Sequence, residues 1–177
     1  MNAPAEASRR ATLLADLYRA ESARIVNLAY LLTGERPLAE DLAQEAFIRV
    51  AGRLRDVHPD AFGAYLSRTV VNLVRSHFRH ARVQRRYADR IEADARVRRD
   101  AVEAASGALD SGTDELLWAA LQSLPVHQRE AVVCRFYLDL SEEQTAATLN
   151  VRVGTVKSAT SRGLQALRAA LAPEADR

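Results

Sequence analysis

Apolar residues recur at three- and four-residue intervals over most of the chain, the period of helices buried on one side. Between Thr12 and Leu32 the set is Leu14, Leu17, Tyr18, Ile25, Leu28 and Leu32, bounded by Gly34 and Pro37. A second amphipathic helix follows Pro37, with Leu38, Leu42, Ala46, Val50 and Leu54 at strict four-residue spacing. His58-Pro59-Asp60 then reads as a turn. From Ala61 to about Arg86, the positions Phe62, Leu66, Val70, Leu73, Val74 and Phe78 define a third helix whose far end is strongly basic. Three long helices of this kind predict a bundle.

From Tyr87 to Gly112 the periodic signal fades. Large apolar residues thin out to Ile91, Val97, Val102 and Leu109, and Ser106-Gly107 and Ser111-Gly112 interrupt the chain. Beyond Thr113, an N-cap candidate, the spacing predicts four shorter helices over Leu116 to Leu124, Pro125 to Leu138, Ser141 to Leu149 and Val153 to Leu171. Ser141-Glu142-Glu143-Gln144 has the capping-box form at the start of the third of them. The expected fold is all-α, with two small helical domains joined by a flexible acidic linker. Its parts are a flexible tail over residues 1–10, a helical bundle over 11–86, the linker over 87–112 and a second helical domain over 113–172.

Composition supports the helical reading, since 33 Ala against seven Gly and five Pro leave little turn chemistry for many short strands. The apolar content of 48% beside 27% charged residues excludes disorder throughout. The single cysteine, Cys134, excludes an intramolecular disulfide and, on its own, a structural zinc site, which fits a reducing compartment. No run approaches the roughly 18 apolar residues of a membrane span, and Met1 to Arg10 lacks the apolar core of a signal peptide. The expected location is the cytoplasm.

The net charge of +2 excludes a uniformly basic coat, but it conceals segregation. Residues 35–48 carry −3, residues 75–86 carry +5, residues 87–115 carry −4 and residues 150–172 carry +4. A basic patch in each domain suggests a polyanion held by both, and the acidic segments are left for another partner.

The clearest local chemistry lies in the helices joined by Asn150-Val151-Arg152. A helix-turn-helix needs a small residue at the helix crossing, here Ala146 or Ala147, a residue tolerant of left-handed backbone, here Asn150, and apolar anchors such as Val151 and Val156. The second helix would expose Arg152, Thr155, Lys157, Ser158, Ser161 and Arg162, short polar donors beside long cations, suited to a major groove. A helical hairpin with a solvated face is the plain alternative.

The run from Leu124-Pro125 through Arg168, with Gly154-Thr155-Val156-Lys157-Ser158 its most specific piece, resembles region 4, the promoter-recognition domain of bacterial RNA polymerase sigma factors. The run from Arg36 to Val50, notably Ala39-Glu40-Asp41, Gln44-Glu45 and Phe47, resembles the core-binding helix of region 2 in that family. Phe62 through Arg86 resembles the helix that opens the −10 promoter element. The two regions with nothing between them but a linker resemble the extracytoplasmic-function (ECF) class of the sigma-70 family.

The resemblance implies a factor that binds core RNA polymerase and recognises −35 and −10 elements of promoter DNA. It implies that Glu40, Asp41, Gln44, Glu45 and Phe47 meet the β′ clamp, where carboxylates form charge-assisted hydrogen bonds to arginines, and it adds the β flap as a second polymerase contact. From spacing alone the same acidic cluster also fits a solvated helix face. By resemblance Asn72, with residues 56–62, belongs to a pocket for an unstacked base, alongside Phe62 and Tyr65. The spacing of Phe62 and Tyr65 itself favours core packing. Arg75, Arg79 and Arg82, continued by Arg85 and Arg86, would follow the phosphate backbone. An Arg-rich solvated face is again the alternative.

The recognition helix departs from the family pattern at Ala159, Thr160, Gly163 and Leu164, and Ser76 replaces a usual acid, which leaves Lys157, Ser158, Ser161 and Arg162 as the principal −35 contacts. In this class control by an anti-sigma factor is common, which makes such a protein a candidate partner. A helix-turn-helix regulator binding operator DNA without polymerase is the competing reading. An enzyme is disfavoured: His77 and His80 lack a completing ligand cluster, no phosphate loop or nucleophile elbow is present, and no cofactor or metal is called for.

Overall fold

The computed structural model describes residues 3–53, 61–91 and 112–172, which are helical with short turns and contain no strand. Helices α1 (Ala3–Thr33), α2 (Arg36–Ala51) and α3 (Phe62–Ile91) form the first half. Helices α4 (Gly112–Ser123), α5 (Val126–Val132), α6 (Glu142–Leu149) and α7 (Val153–Leu171) form the second. The segment expected as a tail is helical from Ala3, and α3 continues to Ile91, past the expected boundary at 86. The loop at 54–60 and most of the expected linker, 92–111, lie outside the described residues.

The α1–α2 turn shows how sequence sets the bundle. Gly34 adopts φ +79°, where a side chain would be strained, and its N–H bonds the Tyr30 carbonyl at 2.9 Å to close α1. Pro37 then sits in the first turn of α2, where its missing N–H costs nothing. Ala39, Ala43 and Ala46 are buried and let α2 approach its neighbours closely. Ile25, Leu28, Leu32, Val50, Phe62, Leu66, Val70 and Val74 fill the interior, each worth about 1.5–3 kcal/mol when fully buried.

In the second half, α5 runs on into a π-helical turn, Val133–Tyr137, in which the Leu138 N–H reaches back to the Val133 carbonyl at 3.1 Å. Asp139 follows with φ 51°, turning the chain toward α6. The widened turn leaves Phe136 61% exposed while Cys134 stays buried. Gly163 brings α7 against α5, because a Cβ there would lie 2.8 Å from Val132 Cγ2.

The two halves pack on each other and share one buried cluster. Tyr30 and Trp118 stack with ring centroids 5.5 Å apart. Gln122 Nε2 donates to the Leu31 carbonyl at 3.0 Å, and the Tyr137 hydroxyl donates to the Arg24 carbonyl at 3.2 Å. Among the described residues, no helix is long and apolar enough to cross a membrane.

Candidate nucleic-acid interface

The α6–α7 pair is built by local chemistry. Ser141 and Gln144 form a complete capping box: the Gln144 N–H donates to Ser141 Oγ at 3.1 Å, and the Ser141 N–H donates to Gln144 Oε1 at 2.7 Å. Asn150 takes the left-handed conformation, φ 48° and ψ 52°, and the Val151 N–H returns to the Ala146 carbonyl at 3.0 Å. Ala146 is the buried crossing residue and Ala147 is exposed. Val156, Ala159, Gly163 and Leu167 turn one face of α7 inward.

That register leaves Arg152, Thr155, Lys157, Ser158, Ser161 and Arg162 exposed on the other side. Ser158 Oγ donates to the Thr155 carbonyl at 3.1 Å, Arg162 Nη2 lies 3.4 Å from Ser158 Oγ, and Lys157 Nζ lies 3.3 Å from Glu142 Oε2. These exposed contacts are weak and can be exchanged for phosphate or base edges. Ala159 and Gly163, the departures from the family pattern, are packing residues against α5 and the core, with no groove-facing role.

Along α3, residues 68, 72, 75, 79 and 82 recur at alternating four- and three-residue steps and therefore share a face. Arg68, Asn72, Arg79 and Arg82 are exposed. Asn72 lines a recess of about 360 Å³ with Arg49, Arg53, Tyr65 and Thr69. Arg53 Nη1 donates to the Tyr65 hydroxyl at 2.8 Å, which holds the ring at the rim. The chemistry suits a base: two guanidiniums for phosphate, a phenol ring to stack on, and an amide for edge hydrogen bonds. Arg49 and Arg53 were missed in the sequence. Their spacing places them on one face of the α2 end, but nothing in the sequence ties that face to Tyr65.

Two expected contacts are corrected. Phe62 is wholly buried, with its ring centroid 6.4 Å from that of Phe47, so it cannot stack on DNA. Phe47 is 7% exposed and packs between Phe62 and Tyr18, so it lies beneath α2 and offers no surface to a partner. On the outer side of α2, Asp41 and Gln44 are exposed, and Asp41 makes no ion pair among the described residues. Glu40 pairs with Arg36 at 2.9 Å, and Glu45 pairs with Arg49. Ile48, 66% exposed, extends the same face one turn beyond Gln44.

Arg75 behaves differently from the other arginines of the α3 stripe. It is half-buried between the halves, with Nε 3.4 Å from Glu130 Oε2 and Nη1 donating to the Leu149 carbonyl. Burial pushes the Glu130 carboxyl above its ordinary range against the opposing pull of Arg75 and Arg129. Desolvation lowers Arg129, which Glu130 partly offsets, and its Nη1 donates to the carbonyl and side-chain oxygen of Gln122. Burial raises the Cys134 thiol to about 12, leaving it unreactive.

A helix-turn-helix with an open cationic face, beside a helical bundle with a basic stripe and a base-sized recess, is an arrangement suited to nucleic acid. The family models for "Sigma-70 region 2" and "Sigma-70, region 4" match residues 17–84 and 114–167. The chain is 39% identical over 169 residues to the ECF RNA polymerase sigma factor SigE of Mycolicibacterium smegmatis, covering 89% of this chain and 61% of that protein. It is 34% identical over 131 residues to the RNA polymerase sigma-E factor of Streptomyces antibioticus, covering 73% and 68%. The chain belongs to the sigma-70 family, in its ECF class, and spans about three fifths of the length of the first of these relatives. Its fold is shared by the sigma factor RpoE of Bartonella quintana, solved with the anti-sigma factor NepR, at a TM-score of 0.57 and 23% identity over 95% of this chain and 97% of that one.

Proposed function

We propose that this protein is a sigma factor that binds core RNA polymerase and directs promoter-specific initiation, acting in the cytoplasm where the polymerase is. The observation that carries the reading is the order of two sigma modules in one chain, region 2 at 17–84 and region 4 at 114–167. Asp41 and Gln44, flanked by Glu40 and Glu45, engage arginines of the β′ clamp through charge-assisted hydrogen bonds. The β flap takes region 4.

In this reading a −10 base leaves the stack and enters the recess beside Asn72, with Tyr65 as its platform and Arg49 and Arg53 on the flanking phosphates. Arg79 and Arg82 continue the phosphate path, with Arg75 joining it once freed from Glu130. The −35 element receives α7, with Lys157, Ser158, Ser161 and Arg162 toward base edges and Arg152 and Thr155 toward the backbone. An anti-sigma factor is a candidate regulator. No catalytic step is assigned to the chain; the chemistry of RNA synthesis stays with the polymerase.

Electrophoretic binding with and without core enzyme tests this directly. A sigma factor shifts promoter duplex only with core present. Tight duplex binding by the isolated chain, as a dimer on paired half-sites, would instead establish an operator-binding regulator.

A further inference from the structure

A cavity of about 400 Å³ lies between α1, α3 and the start of α6, apart from the Asn72 recess and from the groove-facing side of α7. Its volume falls at the small end of the roughly 300–1,000 Å³ typical of small-molecule sites. Arg24 of α1 with Ser67 and Arg68 of α3 supplies a polar wall. Leu138 and Leu140, half-buried in the turn before α6, supply an apolar one. Among the described residues, no carboxylate lines the cavity. A site with cations at one side and leucines at the other fits a molecule that is itself two-sided.

The polar wall is held in place by its own contacts. Arg24 Nε donates to Glu21 Oε2 at 2.8 Å, and Nη2 donates to the Gly63 carbonyl at 3.1 Å and to Ser67 Oγ at 3.0 Å. Gly63 makes room for this pair, because a Cβ there would lie 2.7 Å from Glu21 Oε1 and 3.2 Å from Arg24 Nη2. Arg24 Nη1 makes no hydrogen bond among the described residues, so a guanidinium already fixed in orientation keeps two donors unused. Glu21 offsets the charge of Arg24. Arg68 is exposed and makes no ion pair or hydrogen bond among the described residues, which leaves it as the uncompensated cation of the lining. From α6, Thr148 reaches the cavity: it is 7% exposed, and its hydroxyl is unpaired among the described residues. Hydroxyls this deeply buried are ordinarily hydrogen-bonded, so the vacant partner position points to a polar atom of a ligand.

We propose that this cavity binds a small organic monoanion, a carboxylate carried on a compact apolar body. The carboxylate lies between Arg24 Nη1 and the Arg68 guanidinium in charge-assisted hydrogen bonds, with the Thr148 hydroxyl as a further donor. The apolar body covers Leu138 and Leu140 and is removed from water there. One uncompensated cation matches one negative charge, which favours a carboxylate over a dianionic phosphate ester. The apolar wall offers a sugar or a polar amino acid nothing to bond. The site is a property of this chain and does not depend on the sigma reading. A ligand bound to it stabilises the folded chain by mass action.

Octanoate is the probe, titrated into the whole chain labelled with nitrogen-15 and followed by amide chemical shifts. Binding should saturate with a dissociation constant below about 1 mM, with the shifts centred on residues 64–68 and 138–148. Octanol, which lacks the charge, and acetate, which lacks the apolar body, should each bind at least about tenfold more weakly. Arg68→Gln should weaken octanoate by about tenfold. Ala64→Leu and Ala147→Leu fill the cavity from α3 and from α6, at exposed positions that the fold tolerates. Each should abolish octanoate binding, with helical content unchanged by circular dichroism. Binding that does not saturate, shifts centred instead on exposed apolar residues such as Ile48 or Phe136, or full affinity in both cavity-filling variants would overturn the site. Equal affinity for octanol, or an unchanged constant in Arg68→Gln, would overturn recognition of the anion. Tighter binding of octyl phosphate than of octanoate would overturn the choice of a monoanion.

Discussion

Glu130 and Gly163 show how far single residues depend on their surroundings. Glu130 is an acid whose folded-state value is raised above 4.5, chiefly by burial and despite Arg75 and Arg129. The native state therefore binds its proton more tightly than the unfolded chain does. The contribution is fully present below the unfolded value and is lost as pH rises through the folded one. Glu130→Gln removes this titration, so urea unfolding of the two proteins between pH 4 and pH 8 should show the variant gaining stability relative to wild type as pH rises. A pH-independent difference would contradict the buried-carboxyl assignment. Gly163→Ala places a methyl 2.8 Å from Val132 Cγ2 and should cost about 1–3 kcal/mol of unfolding free energy by overpacking. In the sequence Gly163 stands out only as a departure from the family pattern, and its packing role needs the α5 partner to be seen. Phe47 and Phe62 teach the same lesson. Family motifs place them among the contacts, while the helical period, correctly, favours the core for Phe62.

At the scale of elements, patterning carried most of the information. The four-residue apolar spacing of α2, the capping box of α6 and the left-handed Asn150 are local signals, and each is realised locally. The π-helical turn at Val133–Tyr137 was not legible, because an apolar run has no mark distinguishing an inserted residue from a regular turn. The recess was only half legible. Tyr65 and Asn72 lie on one helix and could be read together, whereas Arg49 and Arg53 come from α2 and meet them only through tertiary packing. For α7, Lys157→Ala with Arg162→Ala should weaken promoter binding by about 1–3 kcal/mol per lost base contact, with core binding unaffected in a pull-down. Unchanged transcription from a cognate −35 element would contradict the assignment. For α3, Arg79→Ala with Arg82→Ala should flatten the salt dependence of single-strand binding, reducing the slope by about 0.7 per lost phosphate contact. An unchanged slope would mean that these arginines are merely solvated.

For the whole molecule, the near-neutral total of +2 is the sum of basic and acidic blocks that nearly cancel; under the proposed function the basic blocks serve DNA and the acidic face of α2 serves polymerase. The charge blocks are legible along the chain, but nothing in them indicated that the halves share one buried cluster. Interdomain contacts such as Tyr30–Trp118 join residues 88 positions apart, beyond the reach of any local period. The proposed polymerase contact is likewise a matter of the assembled surface. Asp41→Ala with Gln44→Ala should reduce core affinity by roughly 1.5–3 kcal/mol, about ten- to a hundredfold, while urea unfolding stays unchanged because both side chains are exposed. Equal core binding by a folded variant would place the interface elsewhere.

Run-off transcription on genomic promoter fragments, with purified core polymerase and this protein, addresses the central claim most directly. Discrete transcripts should start at a subset of fragments only when the protein is present, and should be lost when Asp41 and Gln44 are replaced. Core polymerase giving the same products with and without the protein would contradict its being a sigma factor.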